Sequence, residues 1–189
     1  GKSYAIKLEI LRSLMLGTEV IVIDPEYEYK HLSDAAGGTY INLSLSSDNK
    51  INPFDLPRSI GGDSRPGDII RSAVITVKGL IRLMLGDLNH EEDSVVDRAL
   101  LETYAKKDIT PDCDLSKIEA PIMQDFQDVL EGMEGGESIA LRLRKYTEGT
   151  FSGLFNSPTN VKMENQLICF SVRDLEDELR PIAIYMIVN

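Results

Sequence analysis

Apolar residues recur along the chain with two different periods, and the changes between them mark out its elements. Over residues 3–16, Ala5, Ile6, Leu8, Ile10, Leu11, Leu14, Met15 and Leu16 form a broad helical face, which Gly17 closes. Residues 19–24 carry the continuous β-branched run Val20-Ile-Val-Ile, the pattern of a parallel strand covered on both faces, and Pro25 ends it. Gly37-Gly38 leads into a second strand over 39–43, and residues 44–66, rich in Ser, Asn, Gly and Pro, predict a long surface loop.

Helical spacing then returns. Residues 68–85 place Ile69, Ile70, Val74, Val77, Leu80, Ile81 and Leu85 on one side, and residues 90–107 follow Asn89 as a second helix. Pro121 suits the first turn of a third helix, which stops before the glycine-rich 132–136, and a fourth spans 137–146. The strand pattern resumes only at residues 166–172, so 67–147 reads as a helical insertion. Residues 179–189 alternate at Ile182, Ile184, Met186 and Val188 as a strand would. Pro181, following Asp177 and Glu178, favours a helix there instead. Helix, short turn and buried strand in succession predict an α/β fold, a parallel sheet flanked by helices. No linker divides the chain, so 1–189 reads as part of a single domain.

Three clusters carry candidate chemistry. Gly1-Lys2-Ser3 stands directly before the first helix, in the order that closes the phosphate-binding loop G-x-x-x-x-G-K-[ST]. There the glycine admits the phosphates to the backbone, the lysine reaches the β- and γ-phosphates and the hydroxyl ligates Mg²⁺. The tripeptide alone is common, but a following helix and a buried strand ending in an acid are the context such a loop requires. Asp24-Pro-Glu26-Tyr-Glu28-Tyr29 lies at the carboxyl end of that strand, where open α/β sheets bind ligands. Its acids suit a metal-bound water or a general base, or else a solvated turn. Arg142-Leu-Arg144-Lys145 is a basic cluster that suits either an arginine finger acting on a neighbouring subunit's nucleotide or a helix C-terminus complementing its own dipole.

Composition narrows the classes. A net charge of −11 over 189 residues argues against strong gripping of a nucleic-acid backbone, yet leaves room for ATP, which a local nest of amides can bind. No apolar run reaches the ~18 residues of a membrane span, and no signal peptide is expected. Cys113 and Cys169 lack ligand spacing and suit a reduced, cytoplasmic setting.

Gly1-Lys2-Ser3 with its helix, Asp24-Pro-Glu26-Tyr-Glu28-Tyr29, Ile51-Asn-Pro-Phe-Asp55-Leu, and Arg142-Leu-Arg-Lys-Tyr with Gly149 and Leu154-Phe-Asn156 occur in one order. Together they resemble the conjugative-transfer ATPases of type IV secretion systems: the fourth VirB component and its TraC-like relatives in the HerA–FtsK group of P-loop NTPases. The resemblance covers essentially the whole chain. It implies a RecA-like core with a helical insertion that binds ATP and Mg²⁺. Such a core hydrolyses ATP at a subunit interface, usually of a hexamer, and works with other secretion or conjugation subunits at the cytoplasmic face of the membrane. By that match Gly1, Lys2 and Ser3 hold the nucleotide, Ser3 ligates Mg²⁺, and Lys2 and Glu26 are the catalytic candidates; Asp55 receives no role.

Against that family the chain is a fragment, lacking the P-loop strand before Gly1 and the Walker B strand beyond Asn189. Residues 166–172 are not that strand, because Arg173-Asp174 follows where an acid pair is expected. Both strands are central in such sheets, so the resemblance implies gaps in the sheet and an isolated chain that is weakly stable and inactive. Two alternatives share the core: a non-catalytic RecA-like scaffold or binding domain, and a DNA-pumping translocase of the FtsK or coupling-protein type.

Overall fold

The computed structural model describes residues 1–57 and 64–189, so part of the loop expected over 44–66 lies outside the described residues. The chain divides into two units: Gly1–Asn49 with Asn160–Ile184, and Lys50–Thr159 with Tyr185–Asn189.

The first unit is built on three parallel strands, β1 (Val20–Asp24), β2 (Thr39–Asn42) and β3 (Leu167–Ser171), side by side in the order β1-β3-β2. Val20 pairs with Leu167 and Asp24 with Ser171, while Asn42 also pairs with Ser171. The carboxyl ends of all three strands therefore finish level. β3 is buried at every position, as the central strand of a covered sheet must be.

Helix α1 (Lys2–Met15) packs on this sheet through Ile10, which joins Tyr29, Leu167 and Cys169 in a small core flanked by Leu14, Val22, Leu32 and Tyr40. Gly17 ends the helix as its pattern predicts, with φ +80, while its N–H and that of Thr18 take up carbonyls of the last turn. A short helix, α2 (Lys30–Ala35), precedes β2.

Two expectations about this sheet need correction. Among the described residues no gap interrupts it, since each neighbouring pair of strands is hydrogen-bonded. Nor, among the described residues, is β1 covered on both faces, because it lies at the edge of this sheet and Ile21 is 58% exposed. Ile21 shares this exposure with Tyr4, Ile6, Leu11, Met15 and Leu16 of the α1 segment, the last two more than 80% exposed. The unit thus carries a run of uncovered apolar side chains on α1 and β1, far denser than single surface hydrophobics.

The second unit is helical: α3 (Pro66–Leu85), α4 (His90–Ala105), α5 (Met123–Glu131), α6 (Glu137–Thr147) and the one-turn α7 (Ser152–Phe155). Pro66 opens α3 at a position where its missing N–H costs nothing. Asn89 caps α4 in a reciprocal box: its Oδ1 accepts from Glu92 N–H at 2.9 Å, and Glu92 Oε2 accepts from Asn89 N–H at 3.0 Å. Helix α5 starts two residues after Pro121, because Asp125 Oδ2 accepts from Ile122 N–H at 2.8 Å and fixes the first turn there. The core of this unit centres on Phe54, whose ring lies 5.9 Å from both Tyr104 and Phe126.

The motif residues 51–55 and 142–156 all serve this unit. Asn52 is buried, donates to Pro121 O at 2.8 Å and accepts from Phe54 N–H at 3.1 Å. Asn156 accepts from Gln124 N–H and donates to Thr147 O, tying α5 to the end of α6. Gly149 is required by space, since a Cβ there would sit 2.7 Å from the Lys145 Cα.

Helix α8 (Arg180–Val188) confirms the helical reading of the final segment. Its start buries Ile182 and Ala183 in the first unit, and in the second Tyr185 Oη donates to Thr76 O at 2.9 Å. Among the described residues, no helix is long and apolar enough to cross a membrane.

Candidate functional site at the carboxyl ends of the strands

The first turn of α1 begins at Lys2 with Gly1 as its cap, and no side chain satisfies its free amides. The first intrahelical bond runs from Ala5 N–H to Gly1 O, so the amides of Lys2, Ser3 and Tyr4 lack helical partners. No acidic residue occupies this turn. Free amides, the positive end of the helix dipole and the exposed Lys2 side chain make an electropositive corner suited to an anion.

Facing it is the loop that leaves β1. Asp24 ends that strand fully buried, and its carboxylate organises this loop. Oδ1 accepts from Glu28 N–H at 3.0 Å, while Oδ2 accepts from Tyr29 N–H and from the Tyr40 hydroxyl, both at 2.9 Å. The reversal places Tyr27 at φ +61, a left-handed conformation that a tyrosine adopts only when its surroundings impose it. Here the Tyr27 ring stands edge-on to Tyr40, 5.5 Å between centroids. Lys7 lies 5.5 Å over the buried Tyr29 ring and pins the far side of the loop to α1.

The consequence is a contact between distant segments: Ser3 Oγ donates to Glu28 Oε2 at 3.0 Å. Glu26, two residues earlier, is solvent-exposed on the same loop. Sequence reasoning singled out the acids of this loop together, Glu28 among them, and carried Glu26 forward as the catalytic candidate; it did not single out Tyr40.

Burial alone would raise the Asp24 pKa, but the amides of Tyr29 and Glu28, the Tyr40 hydroxyl and the Glu26 amide together hold it below the ordinary carboxylate value. Burial pushes the Tyr40 hydroxyl well above the ordinary tyrosine range, and the adjoining Asp24 charge adds to the shift, so Tyr40 stays a donor. Asp24 is thus a structural centre that is charged at neutral pH. Level with it at the strand ends, Asn42 Nδ2 donates to Asp174 Oδ2 at 3.1 Å.

The arginines lie in the second unit and are engaged within it. Arg142 pairs with Glu92 at 2.7 Å and Arg144 with Glu131 at 3.0 Å. Among the described residues, no group of three His, Cys, Asp or Glu side chains is arranged to hold a metal ion.

No protein-family model matches the chain, and no curated protein matches it. A solved structure does: VirB4 of Thermoanaerobacter pseudethanolicus is similar over 100% of this chain, at 29% identity and a TM-score of 0.84. The similarity takes in 52% of that protein, so the chain spans about half its length. The three-stranded parallel sheet is accordingly part of a RecA-like core. The fold agrees over the whole chain, which is thus a VirB4-like segment, in line with the resemblance of its sequence to the type IV secretion ATPases.

Proposed function

We propose that this chain is part of an ATP-hydrolysing motor subunit that powers type IV secretion, including conjugative DNA transfer and pilus assembly. The observation that carries the proposal is the meeting of Ser3, in an uncapped first helical turn, with an acidic loop at the carboxyl end of β1. In this reading Gly1 and the free amides after it receive the phosphates, and Lys2 neutralises the β- and γ-phosphates. The Ser3 hydroxyl takes one position on Mg²⁺. Glu26 stands on the facing loop as the acid beside the nucleotide. The residues present fit this ligand, since the corner is electropositive and Ser3 offers an oxygen. Mg²⁺ takes few protein ligands when nucleotide phosphates supply the rest. Bound Mg·ATP contributes the transferable phosphoryl group and the cation that offsets its developing charge.

Other copies of the same subunit, hexameric by the family resemblance, and the remaining secretion subunits are the proposed partners. The proposed location is the cytoplasm, peripheral to the membrane. The test is ATP turnover by the full-length protein beside its Lys2→Ala variant. Turnover that disappears in the variant supports the motor reading. A well-folded, assembled wild type without turnover would identify a RecA-like scaffold instead.

A further inference from the structure

The geometry points to Glu28 as the positioning residue on the cation side of this site: a carboxylate on a fixed stretch of backbone that accepts a hydrogen bond from the Ser3 hydroxyl and so turns the oxygen's lone pairs toward a divalent cation. The inference rests on reading Gly1-Lys2-Ser3 as the end of a phosphate-binding loop, and it adds to that reading a residue with a defined task.

A serine hydroxyl has one proton and two lone pairs. An ionised carboxylate only accepts, so the 3.0 Å contact has one polarity, with Ser3 donating and Glu28 accepting. Both lone pairs of Ser3 Oγ remain for a cation. A hydroxyl without such a partner rotates among several acceptors, including water, and presents its proton to the cation part of the time. Partners beyond the ligand itself commonly orient metal ligands in this way and raise their basicity.

What makes Glu28 suitable is how it is held. Its backbone N–H and the next one are fixed by the two oxygens of Asp24, a buried carboxylate at the end of a sheet strand. Tyr40, from β2, braces the same carboxylate. The path from sheet to ligand is therefore short: β1, Asp24, the Glu28 amide, the Glu28 carboxylate, Ser3. The Glu28 side chain remains exposed, so its other oxygen can accept from a water of a hydrated cation. Asp24 cannot do this work, because it is buried with its oxygens committed to the loop.

The experiment is binding of a fluorescent ADP analogue to the full-length protein, titrated with Mg²⁺ and repeated in EDTA, for wild type, Glu28→Ala and Glu28→Gln. Glu28→Ala is expected to raise the Mg²⁺ concentration for half-saturation by about 10- to 100-fold. Its affinity for the metal-free nucleotide should stay within about twofold, because Ser3 then has no cation to meet. Glu28→Gln keeps an acceptor oxygen and loses the charge, so it should fall between; it also carries the test if the alanine variant does not fold. An unchanged Mg²⁺ dependence, or an equal loss with and without Mg²⁺, overturns the assignment of Glu28 alone. A wild type that binds no nucleotide under either condition overturns the phosphate-loop reading and Glu28 with it.

Discussion

The backbone N–H of Asn52 donates to Thr159 Oγ1 at 2.8 Å, joining residues 107 positions apart at the two ends of the helical unit. Thr159 Oγ1 in turn donates a hydrogen bond to Asp55 Oδ2, and Ile51 N–H bonds to Leu154 O at 3.3 Å beside it. The motif around Asn52-Pro-Phe-Asp55 is therefore a clasp at the base of this unit. Replacing Thr159 by valine keeps the shape and removes both bonds. The expected cost is about 1–3 kcal/mol, because Asn52 N–H is left without its acceptor. Urea denaturation of Thr159→Val beside wild type measures it, and a difference below about 0.5 kcal/mol would mean the clasp holds nothing.

Asp24 lends itself to a test by pH. Its folded pKa lies below the ordinary value of 3.8, so its contribution is complete above that value and is lost as the pH falls through the depressed one. Asp24→Asn replaces one accepting oxygen with a donor that faces the loop amides or Tyr40. At neutral pH the expected loss is about 2–3 kcal/mol. Thermal melts from pH 7 downward should show variant and wild type converging as the pH drops below 3.8. A constant separation throughout would place the stabilisation elsewhere.

The two arginines should separate in their effects. Arg142 is two-thirds buried, and its partner Glu92 also belongs to the α4 cap, so Arg142→Ala weakens a helix start along with an ion pair. About 1–2 kcal/mol of stability should be lost. Arg144 and Glu131 are both substantially exposed, and Arg144→Ala should cost under about 0.5 kcal/mol. If Arg144 acts on a neighbouring subunit's nucleotide, its alanine variant loses ATP turnover in the assembled protein while its melting midpoint stays in place. Turnover and midpoint both at wild-type values would exclude that role.

Long elements with a strong period were legible from sequence. The apolar stripes of α1 and α3, Asn89 before α4 and the β-branched run of β1 all specify local structure without help from the rest of the chain. α2 and α7, of six and four residues, were not, being too short to show a period. The hydrophobicity of β1 was read correctly as strand and incorrectly as burial. Composition records what a side chain prefers to meet, and Ile21 meets solvent here. At the site, Lys2 and Ser3 stood out because their motif is contiguous. The contact of Glu28 with Ser3 was not legible, because it depends on a turn that a buried aspartate shapes from below and on a helix 25 residues away in sequence.

The uncovered side chains of α1 and β1 bear on how this segment behaves while it is being made. An edge strand with apolar side chains beside it takes the first complementary surface it encounters, whether another part of the same protein or an identical segment on another chain. The first outcome is independent of concentration and the second is not. Recovery of soluble material should therefore depend on dilution and on the order in which segments emerge, even where every helix and strand has already formed.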